Sequence, residues 1–518
     1  MEQKSINTYK ISFKKIHRAA AAEVRVHKKL SIITLVLYGV AMLLFIFDSE
    51  VYKLRDDIIP AVFVPSAWGV FFAVVGVIVG YFTALNIFRD MNNQQLCDVS
   101  MALPIKASER FFSKVLSLFY IQIFPLIVST FVGNGIAILW GKVQFGSIDP
   151  EAAKTMFMIV LACLAGSMFI MAIAVLCACC CGALAESAYF SIILMGVLNA
   201  LPMAYVYYVI AKSSGFTDMF YTLDRGFDLG YFGVLFLVTD FDKMIPHCLV
   251  SSVISLAIML LSGFIYVKRD ARTVGTPIAS KLFFEIIMAL SCATIFTAFS
   301  MSDYVFWGIL ISAVGYVIIN IIVSRAKINV LSFLKWGAKY AATLAAFTVL
   351  LVITVKTGGF GHINSRPDAE YLDGAAFEIM YFDYNDYNST TYGYHREELN
   401  TAVLTAEQAD EVMSICKKYL VKGRADTNPF DIIFGKSYNV ILRAESDEMF
   451  NPCPSPKDQF IRKSDENDNI GYTLNFRQYI HIPESDAKAM MAELSSLDYI
   501  LKPAAPDQMV ITPETQYN

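Results

Sequence analysis

Residues 31–47 read SIITLVLYGVAMLLFIF, with no charged side chain until Asp48. About 20 consecutive apolar residues cross the hydrocarbon core of a bilayer as a helix. A helix meets that demand because it satisfies its own backbone polar groups where water is absent. With Leu30 this stretch gives a first span over 30–47. Eight more stretches have the same character: 61–87, 114–140, 154–181, 187–211, 246–267, 281–299, 304–323 and 335–355. Of the 518 residues 56% are hydrophobic and 17% charged, and the two classes are segregated along the chain. A soluble protein of this length would interleave them. The expected fold is an α-helical polytopic membrane protein of about nine transmembrane helices, followed by a C-terminal α+β domain. The basic segment before the first span, with no small-residue cleavage site after it, reads as retained rather than as a cleaved signal.

Lys and Arg near span ends set the expected orientation. The N-terminal segment carries Lys10, Lys14, Lys15, Arg18, Arg25, Lys28 and Lys29 and is expected in the cytoplasm. Nine crossings then put loops 88–113, 182–186, 268–280 and 324–334 on the same side. They hold Arg89, Lys106, Arg110, Lys268, Arg269, Arg272, Arg325 and Lys327, whereas the opposite loops are acidic. The tail after Val355 is expected outside the cell. Residues 356–518 hold 26 Asp and Glu against 15 Lys and Arg, which argues against a nucleic-acid surface. The plasma membrane is the expected location.

The spans are poor in the ionisable groups that proton-driven and ion-driven transporters place near the midplane. Glu285 lies about one turn into its span near Lys281, where snorkelling or local pairing accounts for it. Glu186 and His247 sit at span ends. Asn86, Asn134, Asn199 and Asn320 are expected to hydrogen-bond between helices. The chain also lacks a nucleotide site of its own. A phosphate-cradling loop needs G-x-x-x-x-G-K-[ST], and the "GKS" at 435–437 has Phe430 where the first glycine belongs. No hydrolase or metalloprotease motif appears. Cys177, Cys179, Cys180 and Cys181 read as small packing residues at a span end, with metal binding or palmitoylation as the lesser reading. Cys416 and Cys453, the tail cysteines, form too weak a pattern to predict a disulfide.

The most specific local signal follows the second span: RDMNNQQLCDVSMALPIKASERFFSK, residues 89–114. A polar helical turn with Asp90 and Asp98 runs into Leu103-Pro104-Ile105, and the proline breaks it. Ser108 is expected to cap the next helix, starting at Glu109. The result is an elbow that leads directly into the third span, with Glu109 and Arg110 offering charged surface contacts.

This elbow resembles the coupling region of type-two ABC transporter permeases. In that family an acidic helix, an L-P-[IV] turn and a short basic and aromatic helix recur, with a lysine before the third span. Leu103, Pro104, Ile105, Arg110 and Lys114 match. The N-terminal segment also fits the family's interfacial helix: Ile6, Tyr9, Phe13 and Ile16 alternate with Lys10, Lys14, Lys15 and Arg18 at helical spacing. The run LGYFGVLFLV, 229–238, is too short to span and resembles the family's re-entrant outer hairpin. The link VKRDARTVGTPIASK, 267–281, is a looser match, with Ala271 and Arg272 near the place of an expected acid.

The resemblance implies an interfacial helix over 1–29, a six-helix permease core over 30–267 with its ATPase-coupling elbow at 89–114, three additional spans over 268–355 and an extracellular domain over 356–518. The extra spans and tail are similar to those of extended Bacillota-type permeases of antimicrobial-peptide and envelope-stress systems. It further implies a non-catalytic membrane subunit that exports or clears a peptide, lipid-like or drug-like substrate. Its partners would be a cytoplasmic ATPase subunit and a second permease subunit, in a homo- or heterodimer. ATP and Mg would bind the ATPase, with no cofactor on this chain. Asp98 and Glu109 join the elbow residues that would dock there. The alternatives are a membrane receptor with an extracellular ligand-binding domain, an integral-membrane lipid-modifying enzyme and an ion-coupled transporter.

In the tail, 375–384, 437–445 and 471–483 read as strands and 405–420 as a helix with a Thr405–Gln408 capping box. A second helix over 485–497 is expected to open with a Ser485 cap. Segments 385–395 and 446–470 read as loops. TLNFRQYIHIP resembles a strand of the family's outer domain, with Arg477 and Tyr479 in structural roles.

Overall fold

The computed structural model describes residues 13–48, 51–52, 62–63, 67–145, 150–212, 216–217, 241–300, 304–324, 330–357, 374–383, 395–426, 438–445, 461–466, 469–482 and 484–501. Among them, seven helices are long and apolar enough to cross a membrane, as expected of a helical membrane protein. The chain divides into two compact bodies. The first takes in residues up to Met203 together with Phe227–Cys292 and Val314–Trp336. The second comprises Ala204–Gly226, Ala293–Ala313 and Gly337–Asn518.

The first body opens with helix α1, Phe13–Val26, which passes through His27 into α2, Lys28–Asp48. Next comes α3, Ala67–Ile87. The second span was expected from residue 61, but Val62–Phe63 is a short strand, β2, paired with β1 at Val51–Tyr52. Pro65 follows that ribbon, and the helix begins just after it. A 3-10 turn, Arg89–Asn92, and helix α4, Gln94–Ala102, form the first arm of the elbow. Helix α5, Ala107–Leu118, forms the second. It continues through a π-helical turn, Phe119–Ile123, into α6, Phe124–Phe145. The Phe124 N–H donates to the Phe119 carbonyl, five residues back. Pro125 explains the wider turn: it has no N–H, and its ring crowds the carbonyl four residues before it.

Helices α7, Pro150–Cys180, α8, Leu184–Lys212, and α9, Phe241–Lys268, follow. Helix α7 is central. Its residues Ala172 to Cys180 are all buried, packed with Tyr81, Phe88, Phe111 and Tyr266 in one cluster and Tyr38, Phe190 and Ile287 in another. The adjacent cysteines are buried there as small apolar side chains. Three further helices follow: α10, Lys281–Ser300, α11, Val305–Ser324, and α12, Val330–Lys356. Asn320, expected to bond between helices, donates to the Tyr316 carbonyl in its own helix, and the Asn199 amide donates to the Met195 carbonyl. The expected outer hairpin at 229–238 lies outside the described residues.

In the second body, Tyr208, Phe296, Val305, Leu351 and Val355 form one apolar cluster, and Tyr205 shares a 2.5 Å hydrogen bond with Thr354. The tail is a seven-stranded sheet with two helices. Its strands are β4, Ala376–Asp383, β5, His395–Thr401, β6, Tyr438–Glu445, β7, Ile461–Glu466, β8, Asn469–Ile482, and β9, Ile500–Leu501. The seventh is β3, Phe216–Thr217, from the segment between α8 and α9. The order is β3-β8-β6-β4-β5-β9, with β7 also on β8. Helices α13, Ala406–Asp426, and α14, Glu484–Ser495, bury Val412, Cys416, Leu420, Met490 and Leu494 against Phe377, Ile379, Val440 and Leu442.

The expected capping box is present, with the Thr405 N–H donating to Gln408 Oε1 at 3.0 Å. Ser485 is not the cap of α14, because that helix already includes Glu484. The segment 446–470, expected as a loop, contains β7 and the start of β8, which pair from Ile461↔Leu474 to Glu466↔Asn469. Strand β5, HREELNT, starts at the last residue of the other expected loop. Arg477 and Tyr479 both lie in β8, opposite Arg443 and Ile441 of β6. Tyr479 also stands opposite Phe216 of β3. Cys453 lies outside the described residues.

Candidate coupling site

Where the expected elbow meets the helix bundle, charged groups are buried and Lys114 is paired on several sides. Lys114 is 3% exposed. Its ammonium lies 3.2 Å from Asp90 Oδ1, donates to the Ile87 carbonyl at 2.9 Å and to Glu23 Oε1 at 3.3 Å. An ammonium has three donors, and here three oxygens from α1, the end of α3 and the 3-10 turn surround it. A buried cation stripped of such partners would cost several kcal/mol, so these three elements are held around α5. The ring of Phe88 lies beneath the ammonium, 5.8 Å away. Phe88 meets Phe111 edge-on, and Phe111 meets Tyr266 at a tilt with centroids 5.4 Å apart. Just past α1, His27 lies 3.8 Å from Glu23, and burial pushes its imidazole below the usual histidine pKa despite that carboxylate.

Arg269, just past α9, closes the other side. One nitrogen, Nη1, donates to the carbonyls of Ala178 and Cys179 at 2.8 and 3.0 Å. These carbonyls end α7, where a cation completes the unpaired backbone acceptors and opposes the helix dipole. Nη2 donates to the Met91 carbonyl at 2.7 Å, and Nε to Thr273 Oγ1 at 3.2 Å. The following link lies along the end of α7, with the N–H groups of Ala279 and Ser280 donating to the Cys180 carbonyl. Gly275 N–H donates to Gly182 O at 2.7 Å. A Cβ on Gly182 would run into the carbonyl oxygens of Thr273 and Thr276, so glycine is needed for this approach.

The elbow departs from the sequence reading in two respects. Ser108 does not cap the second arm. Helix α5 begins at Ala107, with Lys106 extended before it and the Arg110 N–H bonded to the Lys106 carbonyl at 2.9 Å. The first arm does have a side-chain cap, the Asn93 amide oxygen, which accepts from the Leu96 N–H at 3.2 Å. Glu109 and Arg110 are also not surface contacts, being 3% and 6% exposed. Arg110 folds back on the turn, donating to the Ile105 carbonyl at 3.2 Å and approaching Met101 Sδ at 3.0 Å. It thus braces the angle that Pro104 creates.

Helix α4 faces outward instead. Only Cys97 is buried on it, while Leu96, Val99, Met101 and Leu103 are exposed, Val99 by 67%. Asp98 and Pro104 are exposed beside them. Leu96 and Val99, three residues apart, form an apolar edge on this nine-residue helix, and Leu103, the extended residue that ends it, is exposed as well. That spacing is present in the sequence, but which face of α4 is covered follows only from the packing of Cys97.

Comparison with known protein families, curated proteins and solved structures yields no match.

Proposed function

We propose that this chain is the membrane-spanning permease subunit of an ATP-driven transporter, powered by a separate cytoplasmic ATPase that docks on the elbow. The observation that supports this best is the pairing of an outward apolar helix with a buried ionic base. Helix α4 offers Leu96 and Val99 to a partner, with Leu103 exposed just past its end, and exposed apolar groups clustered in this way mark protein contacts. Behind it, Lys114 and Arg269 join α1, α3, α5, α7 and the end of α9 through short hydrogen bonds. A push on α4 would therefore move several membrane helices together, as a coupling element requires.

In this reading the elbow and N-terminus are cytoplasmic, by the Lys and Arg bias, and the tail sheet is extracellular. A second permease subunit completes the path, and the substrate is a peptide, a lipid-like or a drug-like molecule. The chain's own residues do no hydrolysis; ATP and Mg bind the partner.

The test is co-isolation from native membranes. An ATPase subunit recovered with the intact chain, and lost with Val99→Asp although the variant inserts normally, supports the reading. Equal recovery with Val99→Asp removes α4 as the docking surface.

A further inference from the structure

Helix α1 has two unlike faces. Ile16 and Ala20 are buried against α5, and its acid, Glu23, is committed to Lys114. The rest is cationic and open: Lys14, Lys15, Arg18 and Arg25 are exposed, as are Lys28 and Lys29 at the start of α2. Phe13 and Val26, at the two ends of the helix, are exposed by 73% and 77%. Only His27 separates α1 from a 21-residue helix of membrane-spanning length whose apolar run begins at Leu30. Lys28 and Lys29, at the start of that span, therefore stand at the depth of lipid phosphates, and α1, with Phe13 and Val26 exposed at its ends, leads directly into them.

We infer that the outer face of α1 is a binding surface for anionic phospholipid headgroups, and that its occupancy steadies the coupling elbow through Glu23 and Lys114. Charge complementarity selects this occupant, because six cations and no free carboxylate on that face match a layer of phosphodiesters. Each Lys or Arg near an anionic surface strengthens binding by about fivefold. The transmission is direct: Glu23 Oε1 accepts from Lys114 Nζ, which also holds the Ile87 carbonyl. His17 meets Tyr120 edge-on at 6.0 Å, bringing α1 against the π-helical turn as well. The inference does not depend on the ATPase reading, and its test uses no ATPase.

The full chain is placed in nanodiscs of phosphatidylcholine alone or mixed with phosphatidylglycerol, and lipids retained after gentle detergent release are counted by native mass spectrometry. Wild-type protein should retain phosphatidylglycerol selectively and melt at a higher temperature in the mixture. K14Q/K15Q/R18Q/R25Q should lose the selectivity by tenfold or more, whereas K14R/K15R should keep it. Glu23→Gln should keep the lipid but lose most of the thermal gain. Undiminished selectivity in the quadruple variant, with α1 protected from hydrogen exchange as in wild type, would overturn the binding surface. A full thermal gain in Glu23→Gln would overturn the transmission. If α1 instead retains a protein through lipid removal and shows no lipid preference, the occupant is a protein and the inference is wrong.

Discussion

The Arg269 Nη2 group donates to the Met91 carbonyl at 2.7 Å, across 178 positions of sequence. The same guanidinium ends α7 by bonding Ala178 and Cys179. One side chain thus fastens the turn after α3, the end of α7 and the start of the link after α9. Arg269→Ala is expected to destabilise the first body by about 2–3 kcal/mol, since hydrogen bonds from a charged donor are each worth about 1.5–3 kcal/mol and their losses overlap. Arg269→Lys should recover only part, because an ammonium cannot reproduce the planar fork. Thermal unfolding in a fixed detergent measures both; an alanine variant indistinguishable from wild type would contradict this role.

Within the first body, Gln122 is fully buried on the π-helical turn, donates to the Gly76 carbonyl at 3.1 Å and meets the Tyr38 hydroxyl. A Cβ on Gly76 would stand 3.1 Å from Ser167 Oγ, so the glycine leaves room for polar side chains of neighbouring helices. Gln122→Leu should cost about 0.6–1.7 kcal/mol, the range for buried polar contacts between membrane helices. Steric trapping or denaturant unfolding in bicelles would detect it; a more stable leucine variant would show that the amide is not a packing contact.

The span pattern was legible in the sequence because the bilayer demands long apolar runs, and the tail strands β4, β6 and β8 because their residues are β-branched and aromatic. Strand β5, HREELNT, was hidden by its charges, and its identity comes from pairing with β4, as at Ile379↔Leu399. The π-helical turn looked like ordinary helix, with Pro125 as its only trace. The elbow's position was readable from Pro104, but its polarity was not. Arg110 looked like a docking charge and is instead bound to the Ile105 carbonyl, and Arg269 looked like part of a basic loop. Such partners are fixed by closures over long sequence distances, which no local pattern encodes.

In the tail, Lys418 Nζ donates to both Glu493 oxygens at 2.8 Å and the Tyr419 hydroxyl donates at 2.7 Å. The Lys418 bond, then the Tyr419 bond, hold the Glu493 carboxyl below its usual pKa. A depressed carboxylate stabilises the fold above the ordinary glutamate pKa, and that contribution is lost as pH falls through the depressed value. A soluble fragment of residues 365–518 should unfold cooperatively. Its melting temperature should fall more steeply below about pH 4.5 in wild type than in Glu493→Gln. Identical profiles, or a fragment with no cooperative transition, would refute this.

Burial also pushes the Cys416 thiol up to about 12, and the side chain is 1% exposed on the sheet-facing side of α13. A maleimide should leave Cys416 unmodified in the folded fragment at neutral pH and react once denaturant unfolds it, since only the thiolate is an effective nucleophile. Rapid labelling of Cys416 under native conditions, located by peptide mass spectrometry, would show that the helix–sheet core opens readily.

The central claim is that α4 receives an ATPase. Its most direct measurement is quantitative mass spectrometry of proteins co-isolated with the full chain from native membranes, comparing wild type with Leu96→Asp/Val99→Asp at equal membrane abundance. The account predicts an ATP-binding subunit stoichiometric with the wild-type chain and depleted at least tenfold with the variant. An ATPase absent from the wild-type sample, or equally abundant with both chains, would contradict it.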